Sequence, residues 1–170
     1  MNLVEDATGN KLTFAIIGVA MGVHNRLVPG YPEEVYERAL FAELDQRGFV
    51  VRRQAPVEVF SGDDRVGLFF LDLFVDETVV VEVKAFSHLL TNDEIAQVIN
   101  YLIATGAPVG LLINFGRKKL DFRRIFPPKD AVSRVRRAGR YNVRKSFLPD
   151  PGMTLDGPAT GEPATNEENE

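Results

Sequence analysis

The stretch Gly67–Phe86, GLFFLDLFVDETVVVEVKAF, decides the fold of this chain. Its two halves are apolar and rich in Val, Phe and Leu, which predicts two β-strands joined by a tight turn at Asp76–Thr78. Three charged residues interrupt the apolar pattern: Asp72 in the first strand, and Glu82 and Lys84 in the second. Because a charge inside a buried strand is costly unless it is paired or holds a metal, these three are candidate functional residues.

The length of the turn decides whether the two acids meet. With a three-residue loop, Val75 pairs with Val79. The same register places Asp72 opposite Glu82, with Cβ atoms about 4.5–5.5 Å apart. Two carboxylates this close repel each other, and a divalent cation between them removes the repulsion. A two-residue turn would put them on opposite faces. The alternative is an ordinary buried hairpin with an Asp72–Lys84 ion pair.

Composition limits the protein class. The 170 residues, 45% of them hydrophobic, suit one domain with a substantial core. The absence of cysteine excludes a disulfide framework, a cysteine zinc site and a thiol nucleophile. The longest apolar run, Leu12–Val23, is too short to span a membrane, and acids rather than a basic segment precede it. We therefore expect a soluble, cytoplasmic protein without a membrane partner.

The net charge of −4 hides a strong segregation of charge. Residues 1–116 carry 8 Lys/Arg and 16 Asp/Glu, residues 117–145 carry 12 and 2, and residues 146–170 carry none and 6. So dense a basic segment predicts a polyanion partner, nucleic acid above all. The candidate contacts are Arg117, Lys118, Lys119, Arg134, Arg136, Arg137 and Arg140. The alternative is a solvated arm that binds nothing specific.

The elements around the hairpin alternate between helix and strand. Apolar spacing predicts a helix over Lys11–Leu27 and a second one that begins at Pro32. A strand pattern covers Phe49–Phe60. Thr91–Glu94 forms a capping box that opens a third helix, which Gly106 closes. Val109–Asn114 is a continuous apolar strand, as in a sheet covered on both faces.

This order, with Asp on the second strand and ExK on the third, resembles the PD-(D/E)XK nuclease superfamily. The segment Gly30–Tyr36 also fits GxxExxY, the motif that names a family of small proteins within it. The blocks VHNRLVPGYPEEVYERAL, LDLFVDETVVVEVKAF, QVINY and GLLINFG follow in the same order, so the resemblance covers about Leu12–Ile125. It implies an α/β, restriction-endonuclease-like core of order αβββαβ, with a mixed central sheet flanked by helices and an extra N-terminal helix.

The resemblance also implies roles for particular residues. Asp72 and Glu82 would be metal ligands, the Val83 backbone carbonyl a third oxygen ligand, and Glu33 a further carboxylate. Lys84 would orient or deprotonate the attacking water, or stabilise developing charge. Gln97 and Tyr101 match a QxxxY helix that helps to build the site. Such oxygen ligands suit Mg²⁺ or Mn²⁺ rather than zinc.

Three functions follow from these patterns. The first is a Mg²⁺-dependent nuclease that hydrolyses phosphodiester bonds of DNA, with RNA as a second substrate class. The second is a catalytically silent protein that binds nucleic acid or a partner on a nuclease fold, and the third is an interaction module with merely paired charges. Residues 1–126 would form the nuclease-like domain, 127–148 a basic extension and 149–170 a disordered acidic tail; a homodimer is left open.

Overall fold

A computed structural model describes residues 9–129 of the chain. In chain order, its elements are α1 (Asn10–Leu27), α2 (Glu33–Gln46), β1 (Val51–Ser61), β2 (Asp64–Val75), β3 (Val79–Lys84), α3 (Asn92–Thr105), β4 (Val109–Asn114) and β5 (Asp121–Ile125). The predicted α/β class, the αβββαβ order and the additional N-terminal helix are confirmed. The fifth strand was not predicted. The basic extension beyond residue 129 and the acidic tail lie outside the described residues.

The five strands form one mixed sheet in the order β1-β2-β3-β4-β5. Only β3 and β4 run parallel, and the other neighbours pair antiparallel. Helices α1 and α2 pack on one face, and α3 packs on the other. Both faces are therefore covered, which explains why β3 and β4 are almost wholly apolar. Within residues 9–129, no helix is both long and apolar enough to cross a membrane.

The central hairpin has the register that the three-residue loop requires. Val75 pairs with Val79, and Leu73 pairs with Val81. The loop residues Asp76 and Glu77 both have positive φ, 48° and 51°, which lets the chain reverse within so few residues. Continuing the register places Asp72 opposite Glu82, as the sequence predicts.

Two glycines allow close approaches that position the site. Gly110 of β4 lies under α3, where a Cβ atom would collide with Val98. Gly116 follows β4, and a Cβ atom there would meet the backbone of Ala85 and Phe86 at no more than 2.6 Å. The chain that leaves β3 after Lys84 is therefore held directly against the end of β4.

Candidate active site

The β2–β3 ladder ends one residue before Asp72 and Glu82. Its last backbone pair is Leu73 with Val81. Beyond that point the side chain of Asp72 replaces the missing strand partner, since its Oδ2 accepts a hydrogen bond of 2.8 Å from the Val83 N–H. This hydrogen bond holds the Asp72 side chain against β3 at the point where the backbone pairing of β2 and β3 has ended.

Glu82 is a buried carboxylate, and within residues 9–129 one of its two oxygens is hydrogen-bonded. Its residue is 3% exposed, and it follows Val80 on the face that α3 covers. Lys84 Nζ donates a 2.6 Å hydrogen bond to Glu82 Oε1. Within the described part of the chain, the buried Oε2 has no hydrogen-bond partner. An unsatisfied buried carboxylate oxygen is costly, so this atom is available for a cation or a proton donor.

The GxxExxY residues act together at the start of α2. Tyr36 is fully buried, and its hydroxyl donates to the Val28 carbonyl at 2.6 Å while it accepts from the Tyr31 N–H at 3.1 Å. The Tyr36 ring stacks on Phe115 with centroids 4.9 Å apart. Gly30, at φ 129°, turns the chain between these contacts. The tyrosine thus fixes the tight turn that precedes the first turn of α2.

That first turn brings a third carboxylate to the site. Glu33 Oε1 lies 3.8 Å from Lys84 Nζ. The ion pairs that the structure describes for Lys84 are therefore with Glu82 and Glu33, rather than the Asp72–Lys84 pair of the simple-hairpin alternative. Glu33, Asp72, Glu82 and Lys84 therefore lie in one cluster, to which α2, β2 and β3 contribute.

Burial and mutual repulsion perturb the carboxyl groups. Desolvation, followed by the nearby charge of Asp72, raises the pKa of Glu82 from its ordinary 4.5 to about 7. Desolvation also raises the pKa of Asp72 and of Glu33. Burial alone would lower the pKa of Lys84, but the surrounding carboxylates, Glu82 first, outweigh it and raise the pKa. The lysine is thus a cation within an acidic cluster.

Gln97 and Tyr101 lie on α3, beside the acidic cluster. Gln97 Nε2 donates to the Tyr101 hydroxyl at 2.8 Å, which fits their predicted positions one turn apart. Burial raises the pKa of Tyr101, and the charges of Glu82, Lys84 and Asp72 also reach its hydroxyl. The hydroxyl therefore lies within electrostatic range of the acidic cluster and remains protonated near neutral pH.

The donor set is compatible with a hard cation, although it is not assembled as a metal site. Among residues 9–129, no group of three His, Asp or Glu side chains is arranged to hold a metal ion. The Lys84 carbonyl accepts from Phe115, on the β4 side. Since neighbouring carbonyls of a strand alternate in direction, the Val83 carbonyl points towards β2 and Asp72. All the available donors are oxygens, which Mg²⁺ and Mn²⁺ prefer.

Two residues with no predicted role complete the cluster. Glu37 is 4% exposed and lies one turn after Glu33. Gln54 Nε2 donates to Glu37 Oε1 at 2.9 Å and reaches Asp72 Oδ1 at 3.4 Å. The i, i+4 spacing of the two glutamates was a usable signal for Glu37. Nothing in the sequence around Gln54 indicates its contacts.

Three of the predicted nucleic-acid contacts lie at the same end of the sheet as the cluster. Arg117, Lys118 and Lys119 follow β4, whose last residue Asn114 pairs with Lys84 at the end of the parallel strand β3. Lys118 and Lys119 are exposed. Arg117 is held by Asp121 at 3.8 Å, and its carbonyl bonds to His24 at 2.8 Å. Arg134, Arg136, Arg137 and Arg140 lie outside the described residues.

Comparison with protein families gives a match that covers most of the described residues. Residues 10–125 match the model of the PD-(D/E)XK nuclease superfamily. One similar solved structure is titled "Crystal structure of SSO0001", with a TM-score of 0.46 and 18% identity over 62% of this chain and 55% of that one. The match thus spans little more than half of that protein. The comparison with curated proteins gives no match.

Proposed function

Since the chain belongs to the PD-(D/E)XK nuclease superfamily, we propose that it is a Mg²⁺-dependent nuclease hydrolysing phosphodiester bonds of DNA, with RNA as a second substrate class. One observation carries the proposal: Asp72 and Glu82 follow directly where the β2–β3 ladder ends, the charge of Asp72 helps to raise the pKa of Glu82, and Glu82 Oε2 is buried without a hydrogen-bond partner among the described residues. Burial of both acids lowers stability through desolvation, so a purely structural hairpin gains nothing from this pair.

Asp72, Glu82 and the Val83 carbonyl would hold the cation, with Glu33 as a further carboxylate. Among residues 9–129, Asp72 Oδ1 has the long contact to Gln54 and Glu82 Oε2 has no hydrogen-bond partner, so each acid retains a lone pair for a ligand. When bound there, a divalent cation supplies a water of lowered pKa and neutralises the charge of the phosphate.

Lys84 fits a role in charge stabilisation better than a role as a base. Its pKa is raised by the surrounding carboxylates, so the ammonium is charged at neutral pH. A charged ammonium can donate hydrogen bonds to a water or to a phosphate oxygen, but it cannot accept a proton. Its hydrogen bond to Glu82 also holds that carboxylate in place.

The substrate assignment rests on charge. The exposed Lys118 and Lys119 lie at the end of the sheet where Lys84 lies, so a phosphate backbone can reach both. Positive residues that track a phosphate backbone give affinity without reading its sequence. The basic residues between 130 and 145 would extend this surface as part of the proposed basic extension.

One observation favours a second candidate, the catalytically silent nucleic-acid-binding protein. Lys84 already occupies one oxygen of Glu82 at 2.6 Å, and it also neutralises part of the charge that a cation would neutralise. If this ion pair is permanent, the fold retains a basic surface without metal-dependent chemistry. The two candidates differ in their response to Mg²⁺ and Mn²⁺.

The test is cleavage of labelled double-stranded DNA, single-stranded DNA and single-stranded RNA by the purified protein with Mg²⁺, Mn²⁺ or EDTA. We expect metal-dependent cleavage by the wild type and by Asp45→Asn, a matched control at an exposed position on α2. Asp72→Asn should be inactive. Equal cleavage by Asp72→Asn would reveal a contaminating nuclease, and no cleavage with either metal would favour the silent protein.

A further inference from the structure

Gln54 has an unusual backbone in the middle of β1. Its φ is 51°, in the left-handed region, although it is neither glycine nor asparagine and lies inside an 11-residue strand. Side chains rarely adopt this conformation because the Cβ atom crowds the backbone. Non-glycine residues retained there concentrate at functional sites, where the surrounding structure enforces the conformation.

At the level of Gln54, the apolar side chains of both β1 and β2 change from one face of the sheet to the other. Before it, Val51 packs with the core under α1 and α2; after it, Ala55 packs with the core under α3. On β2, Leu73 belongs to the first core and Leu71 to the second. In a regular strand, every second residue lies on the same face. This alternation is interrupted in both strands of the hairpin at the level of Gln54.

Asp72 lies at the same level of the hairpin. The pairs Arg53–Leu73 and Ala55–Leu71 flank the position at which Gln54 and Asp72 face each other. The Gln54 carboxamide provides two N–H groups from one nitrogen. That nitrogen lies 2.9 Å from Glu37 Oε1 and 3.4 Å from Asp72 Oδ1.

The contact with Glu37 holds the Gln54 nitrogen in place beside Asp72. Glu37 is 4% exposed, and its Oε1 also lies 2.7 Å from Arg53 Nε. The other oxygen of Asp72 is held by the Val83 N–H. Both oxygens of Asp72 therefore have protein partners that set the plane of the carboxylate. One partner belongs to β3, and the other is tied through Glu37 to α2.

We propose that Gln54 is a positioning residue: it orients the Asp72 carboxylate towards the cation site and is not itself a ligand. This inference rests on the proposed function. Hydrogen bonds that orient a ligating carboxylate typically change metal affinity about 10- to 100-fold when they are removed. The left-handed backbone is what brings the Gln54 side chain to Asp72 and Glu37.

The experiment is calorimetric titration of the full-length chain with Mn²⁺, together with its melting temperature in EDTA. Gln54→Met removes the donor and retains the length of the side chain. It should raise the Kd for Mn²⁺ roughly 10- to 100-fold. Gln46→Met, at an exposed position on α2, is the matched control and should bind as the wild type does.

A second variant distinguishes loss of metal binding from loss of folding. Gln54→Gly removes the same donor but accepts the positive φ, so it should melt no lower than Gln54→Ala and should show the same weak Mn²⁺ binding. A structural role alone would lower the melting temperature and leave the Kd unchanged, which would overturn the inference. Unchanged binding in both Gln54 variants would do the same. A wild type that does not bind Mn²⁺ would instead refute the proposed function on which the inference depends.

Discussion

The metal-free protein should lose stability as the pH rises towards neutrality, because Glu82 must ionise in a buried place. Its pKa is about 7 in the folded protein against an ordinary 4.5, with desolvation as the first cause and the charge of Asp72 as the second. Between these two values the folded state retains a proton that the unfolded state has released. Stability therefore falls as the pH rises from about 4.5 to about 7, and it levels off above that range.

The pKa difference gives the magnitude. It corresponds to about 3 kcal/mol of unfolding free energy, a large fraction of the stability of a domain of this size. The raised pKa values of Asp72 and Glu33 act in the same direction. Glu82→Gln removes the largest contribution while its amide oxygen can still accept the hydrogen bond from Lys84.

The assay is urea unfolding in EDTA at pH values between 4.5 and 8. The wild type should lose about 3 kcal/mol across this range, and Glu82→Gln should lose much less. Glu77→Gln, at an exposed position in the hairpin loop, is the matched control and should retain the wild-type decrease. A wild-type stability that rises with pH, or an equal decrease in Glu82→Gln, would refute the assignment of a buried, repelled carboxyl to Glu82.

Two further predictions concern the close approach at β4 and the basic loop. Gly116→Ala should destabilise the fold by about 3 kcal/mol, because its Cβ atom would meet the backbone of Ala85 and Phe86. Gly18→Ala, at an open helical position, should stabilise it by about 0.5–1 kcal/mol, and thermal unfolding compares the two. Replacing Lys118 and Lys119 with Gln should reduce the salt dependence of DNA binding by roughly two units of logarithmic slope. Lys11→Gln, near the opposite end of the sheet, should leave that slope unchanged in a fluorescence anisotropy titration.

Local patterns were sufficient to predict most of the fold. The capping box is present as predicted, with Thr91 accepting from Asp93 and Glu94 bonding back, and Gly106 ends α3 in a left-handed conformation. The Asp76–Thr78 loop also has the predicted length, so Val75 pairs with Val79 as predicted. These features depend on neighbouring residues, and for that reason the sequence reveals them.

The features that escaped prediction depend on contacts between distant segments. β5 is a short strand of which only Asp121 and Ile125 are buried, so it lacks a continuous apolar run or a regular alternation. The contacts of Gln54 with Glu37 and Asp72 join residues that are 17 and 18 positions apart, so no local pattern indicates them. The ion pair of Lys84 with Glu82 is an exception, because these two residues lie two positions apart on one face of β3.

We propose that Asp72 and Glu82 are mutually repelling ligands of a cation. Melting curves of the wild type and Asp72→Asn, each with EDTA and with Mg²⁺, test it most directly. Asp72→Asn leaves the ion pairs of Lys84 with Glu82 and Glu33 intact and removes one of two opposed charges. In EDTA it should therefore melt at the same temperature as the wild type or higher.

Mg²⁺ should stabilise the wild type, by about 2.7 kcal/mol at a concentration one hundred times its Kd, and should not stabilise Asp72→Asn. Severe destabilisation of Asp72→Asn in EDTA, together with no effect of Mg²⁺ on the wild type, would contradict the claim. It would mean that Asp72 is a structural partner within the hairpin and that the paired carboxylates hold no metal.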